Sequence, residues 1–149
     1  MKEAGLTEGT HVLIADGEKA LLLENIGDAV HPHLRVARKA RQEDPPEPAD
    51  RPGRFNDGPS VHRSAVEETD WQRLAKERFA EDLADMLYRR VHAGRIERLV
   101  LVASPVVLGA LRGRLHKAVE GVVVAEIDKT LTNHPLDEVE RIVAETLAA

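Results

Sequence analysis

The chain of 149 residues is long enough for one domain with a two- or three-layer core, and its 42% hydrophobic and 32% charged residues are ordinary for a folded protein. A net charge of −5 argues against attraction of the whole surface to nucleic acid or anionic lipid. The absence of cysteine excludes disulfides, thiol catalysis and thiolate zinc sites.

Residues 1–10 are polar and contain no apolar run of the kind that directs secretion. No window approaches the roughly 18 apolar residues needed to span a bilayer. The expectation is a cytoplasmic protein without a membrane partner. His11-Val-Leu-Ile-Ala-Asp16 reads as a short buried strand, and Asp16-Gly17 as a turn. Ala20–Ile26 resumes the apolar run, which predicts a hairpin closed by about four residues. A third strand is expected over His33–Lys39, with Leu34, Val36 and Arg38 on one face.

The character changes after Lys39. Five of the eight prolines (Pro45, Pro46, Pro48, Pro52, Pro59) fall within 42–63, with almost no aliphatic side chain to offset the entropy of ordering. Residues 42–67 are therefore expected to form a long Pro-rich flexible loop. Seven cations lie on it and its edges: Arg35, Arg38, Lys39, Arg41, Arg51, Arg54 and Arg63. They face five carboxylates, Glu43, Asp44, Glu47, Asp50 and Asp57. That is a positive balance on an acidic chain, suited to a local phosphate contact. Arg38, Arg41, Arg51, Arg54 and Arg63 are accordingly the candidate contacts to RNA or another partner. Phe55 is the only aromatic within 42–63, which is poor material for a stacking surface.

Thr69-Asp-Trp-Gln72 has the form of a capping box and predicts that a helix starts there. Trp71, Leu74, Ala75, Phe79, Leu83, Met86, Leu87 and Val91 recur at three- and four-residue steps, as one apolar stripe ending at Gly94. Leu99–Ala103 is a strand that passes at once into a helix. There Ser104 can cap the free N–H groups and Pro105 suits the first helical position. That helix is expected to run to about Val119, stopped by Gly121. Val122–Ile127 is a fifth strand. Pro135 starts a last helix, with Asp137 and Glu138 in its first turn and Val139, Ile142, Val143 and Leu147 facing inward.

The order βββαβαβα implies an α/β fold with a mixed five-stranded sheet. Three antiparallel strands come first, and two more are reached by right-handed helical crossovers with helices on both faces. Ribonuclease H-like domains and the middle domain of class-1 release factors share this order. Two-metal nuclease chemistry would need clustered carboxylates, for which Asp16 with Glu77 or Glu81 could be recruited. The fourth strand, however, ends in Ala103-Ser104, and a hydroxyl is a poor substitute for a charged Mg²⁺ ligand. The acidic cluster is incomplete, and Asp16 is more simply a turn residue. His31-Pro-His33 lacks a third ligand at a recognisable spacing. Ser104 lacks the glycine-flanked elbow of a nucleophile. No cofactor, metal or catalytic residue is expected from these patterns.

Four stretches together resemble the bacterial host-attachment protein family, itself similar to the release-factor middle domain. They are Val12–Asn25, Arg78–Ala84, Arg98–Arg112 and Val123–Glu140. The last is the most specific. Lys129, Leu131, Thr132, Pro135 and Leu136 match the family's run before its final helix, while Thr130 stands where Asp is common. The resemblance covers one domain, residues 1–149, and implies a non-catalytic binding module. It points to contact with ribosomal or other structured RNA through the long loop, or alternatively to an attachment factor that docks a protein. In release factors the loop before the long helix carries Gly-Gly-Gln, which promotes peptide release. Here Gly53-Arg-Phe-Asn-Asp-Gly58 stands in that place and no Gly-Gly-Gln occurs, so that activity does not carry over.

Overall fold

The structure, a computed structural model, describes residues 5–42 and 65–148. Its elements are β1 (His11–Ala15), β2 (Lys19–Asn25), β3 (Leu34–Arg41), α1 (Ala65–His92), β4 (Leu99–Ala103), α2 (Pro105–Arg112), α3 (Lys117–Glu120), β5 (Val123–Asp128) and α4 (Leu136–Ala148). The sheet order is β3-β2-β1-β4-β5. β1/β2 and β2/β3 pair antiparallel, while β1/β4 and β4/β5 pair parallel. This is the mixed five-stranded α/β sheet that the alternation of strand and helix signals implies.

β1 and β4 are buried along their whole length, as expected of central strands covered on both faces. One face carries Leu13, Leu22, Leu99 and Leu101 beneath α1, α2 and α3. The other carries Val12, Ile14, Val100 and Val102 beneath α4, which inserts Val139 and Val143. Ser104 is the N-cap of α2, accepting from Val107 N–H, with Pro105 in the first turn. Gly94 closes α1 at φ 78°, and the bond from Arg95 N–H to the Arg90 carbonyl completes the left-handed cap.

Four expectations need correction. α1 begins at Ala65 and passes through the capping-box sequence, so residues 65–67 are helix; the rest of the expected loop 42–67 beyond Gln42 lies outside the described residues. Trp71 and Leu74 are not core, each being 47% exposed. A helix of 28 residues is about 42 Å long and crosses strands of only about 17 Å, so it outreaches the strands it packs across. The single helix expected over 105–119 is two, broken at Gly113, because the His116 ring nitrogen accepts from Ala118 N–H and caps a new turn. Finally, Leu22 pairs with Arg38 and Leu23 with Val36, so a bulge at Ala37 turns Arg38 to the face opposite Leu34 and Val36.

Asn25 organises the amino-terminal end of this sheet. It is fully buried at the end of β2; its amide nitrogen donates to the carbonyls of Leu6, Thr7 and Asp28, and its amide oxygen accepts from Gly27 and His33 N–H. The 27–33 turn is so close that a Cβ on Gly27 would lie 2.2 Å from the His31 carbonyl oxygen. Removing the Asn25 amide strands the buried Leu6 carbonyl, at a cost of about 1–3 kcal/mol, and frees four partly buried backbone groups. Asn25→Ala should therefore lower the unfolding free energy by at least ~2 kcal/mol in urea titrations monitored by circular dichroism, whereas a change within ~0.5 kcal/mol would contradict this role.

Candidate functional site

The parallel strands β1, β4 and β5 end on the same edge of the sheet, and the features with chemical potential collect there. β1 ends at Asp16-Gly17, β4 at Ser104, and α1 passes over the turn on its way back to β4. In open α/β sheets this carboxyl edge is the usual place for a ligand.

Asp16 is half-buried and its carboxylate is occupied. One oxygen accepts from the N–H groups of Glu18 and Lys19 at 2.7 and 2.8 Å, closing the hairpin turn. The other accepts from the Thr132 hydroxyl at 2.7 Å, from the segment before α4. Alongside, the Lys19 ammonium donates to the Asn133 side-chain oxygen. Burial pushes the Asp16 carboxyl up, but the Thr132 bond, the two backbone N–H bonds and the Lys19 charge together hold it below the usual carboxylate value. Among the described residues no three His, Asp or Glu side chains are grouped to hold a metal ion. The Ser104 hydroxyl is engaged at its helix cap, 3.4 Å from Val107 N.

Of the arginines expected to make contacts, Arg38 and Arg41 lie on β3, the outer strand of the sheet. Arg38 is half-buried on the α1 side and Arg41 is exposed opposite Lys19. Arg51, Arg54 and Arg63 lie outside the described residues. Arg35, on the same strand, is ion-paired with Glu24 at 2.9 Å.

Two features of this edge escape a reading of the sequence. The first is the bond between Asp16 and Thr132, 116 residues apart; its only advance sign is the cluster of polar residues Thr130, Thr132, Asn133 and His134 before α4. The second is a groove of about 340 Å³ between α1 and α2. Phe79, Leu83, Val107 and Leu111 form its floor, and Gln72, Arg73, Lys76 and Glu77 its rim. The groove exists because small residues, Ala80 and Ala110, line it where the two helices face each other. No local pattern marks it.

A model of the family described as bacterial archaeo-eukaryotic release factor family 12 matches residues 9–143. No curated protein sequence matches the chain. Eleven solved chains do, among them one described as an archaeal protein. It is 8% identical with a TM-score of 0.42, and the match covers 92% of this chain but only 36% of that one. The chain therefore spans little more than a third of that relative's length.

Because Asp16 is held ionised by its donors, the stability it contributes is full above its unfolded value of about 3.9 and is lost as pH falls through the lower folded value. Asp16→Asn should destabilise the protein at pH 7 and flatten the acid limb of the stability curve below about pH 4. A limb of unchanged steepness in thermal melts from pH 2 to 7 would show that the carboxylate carries no such load.

Proposed function

The chain belongs to bacterial archaeo-eukaryotic release factor family 12, and on that premise we propose that it is a non-catalytic module that contacts structured RNA, foremost ribosomal RNA. The observation that carries the proposal is the charge of β3. Leu-Arg-Val-Ala-Arg-Lys-Ala-Arg places four cations and no carboxylate in eight residues of an acidic protein. The strand leads directly into the segment where release factors carry their Gly-Gly-Gln, and here that segment adds Arg51, Arg54 and Arg63 without the tripeptide. Cations on edge strands also discourage pairing with other chains, which accounts for part of this charge. Arg41 and Lys39, exposed and next to the segment, suit phosphate contact as well. Asp16, the carboxylate a two-metal nuclease would recruit, is instead a hydrogen-bond acceptor for three donors, which favours binding over hydrolysis. The likeness to host-attachment proteins adds a phenotype and no chemistry, so the proposal takes only the RNA side of the resemblance.

Ribosome co-sedimentation and binding to ribosomal RNA across a salt series test this reading. Affinity should fall linearly on a log–log plot against salt. Arg51→Ala/Arg54→Ala should weaken binding and reduce the slope by about 1.5, the share of two phosphate contacts. Equal affinity and slope for the variant and its parent, or binding that ignores salt, would overturn it. Saturable binding of a protein instead would favour the attachment reading.

A further inference from the structure

The α1/α2 groove stands apart from the RNA reading and carries its own chemistry. Its volume of about 340 Å³ lies at the lower end of the ~300–1,000 Å³ typical of small-ligand sites. Phe79, Leu83 and Leu111, each no more than 4% exposed, give it an apolar floor, and Val106, 82% exposed, forms a lip at its mouth. An apolar trough open to water gains from any chain that displaces that water.

The rim decides what the chain must carry at its end. Both carboxylates at the groove are engaged, Asp16 by three donors and Glu77 by Arg73 at 3.5 Å. Arg73 in turn also lies 3.6 Å from Asp70. The side chains of Lys76 and Gln72 make no hydrogen bond or ion pair among the described residues. The Lys76 stem lies by the hairpin turn, its Cδ and Cε 3.2 Å from where a Gly17 Cβ would stand, which places it beside the mouth of the groove. The groups left over are thus an ammonium and an amide beside an apolar trough. They call for a ligand whose polar end accepts hydrogen bonds and bears negative charge.

We propose that this groove binds an amphiphile with an unbranched apolar chain and an anionic head, of which an acyl carboxylate is the simplest member. The chain lies along Phe79, Leu83, Val107 and Leu111, and the head meets Lys76 and Gln72.

The test is an amide NMR titration of the full chain with decanoate, decylammonium and 1-decanol, each below its aggregation limit, using the parent, Lys76→Met and Ala110→Leu. Decanoate should cause saturable shifts centred on Gly17, Phe79, Ala110 and Leu111, and bind about tenfold more tightly than decylammonium. Lys76→Met, at an exposed position, should keep the shifts but lose the preference for the anion. Ala110→Leu should fill the trough and abolish the shifts while the spectrum stays dispersed. No saturable shift with decanoate, shifts centred elsewhere, equal or tighter binding of decylammonium, or a preference that survives Lys76→Met would each overturn the proposal. Because the readout involves no RNA, its failure leaves the RNA reading intact, and loss of RNA binding leaves the groove untouched.

Discussion

The Asp16 carboxylate holds together parts of the chain that the backbone alone keeps far apart. It closes the β1–β2 turn through the Glu18 and Lys19 N–H groups and reaches Thr132 in the segment that leads to α4. β1 is the middle strand of the sheet, and α4 covers the face opposite α1. The bond therefore pins the carboxyl edge, where the two layers of helix meet the ends of the strands. Leu131, beside Thr132, is packed into the α4 core, so the anchor sits on a rigid base. A carboxylate accepting three hydrogen bonds uses most of its acceptor capacity, and here all three bonds tie parts of the fold together.

The edge presents two distinct surfaces. On one side β3 runs out with its arginines, joined to the middle of the sheet through β2. On the other, α1 and α2 leave an apolar trough whose end wall is the Asp16-Gly17 turn. The turn is shared, so its rigidity serves both. A Cβ at Gly17 would meet the Lys76 stem at 3.2 Å, a contact that the exposed lysine side chain can relieve by a small shift.

Much of this fold is legible in the residues because its strongest signals are local. The β4 run and its Ser104-Pro105 junction need no distant partner to be recognised, and the left-handed Gly94 ends α1 where the stripe of apolar residues ends. Local signals fail where a neighbour overrides them. The Thr69–Gln72 pattern marks a plausible helix start, yet the helix already exists upstream of it. Trp71 and Leu74 continue the apolar spacing along α1, yet each stays 47% exposed and neither joins the core beneath the helix. The Ala37 bulge carries no glycine or proline to announce it, and it alone reverses the face of Arg38. The site follows the same division. The cations of β3 can be read from composition, whereas the groove is lined by residues of two helices far apart in the chain, Ala80 and Ala110 among them.

Fixed donors hold the Asp16 carboxylate in its ionised form. A carbonyl-detected NMR titration of the Asp16 carboxyl, run with and without Mg²⁺ and repeated in Thr132→Val, tests it most directly. The midpoint should lie below the ordinary value of about 3.9, stay unmoved by Mg²⁺ and rise when the Thr132 hydroxyl is lost. A midpoint at or above that value, one displaced by Mg²⁺, or one indifferent to Thr132 would contradict it.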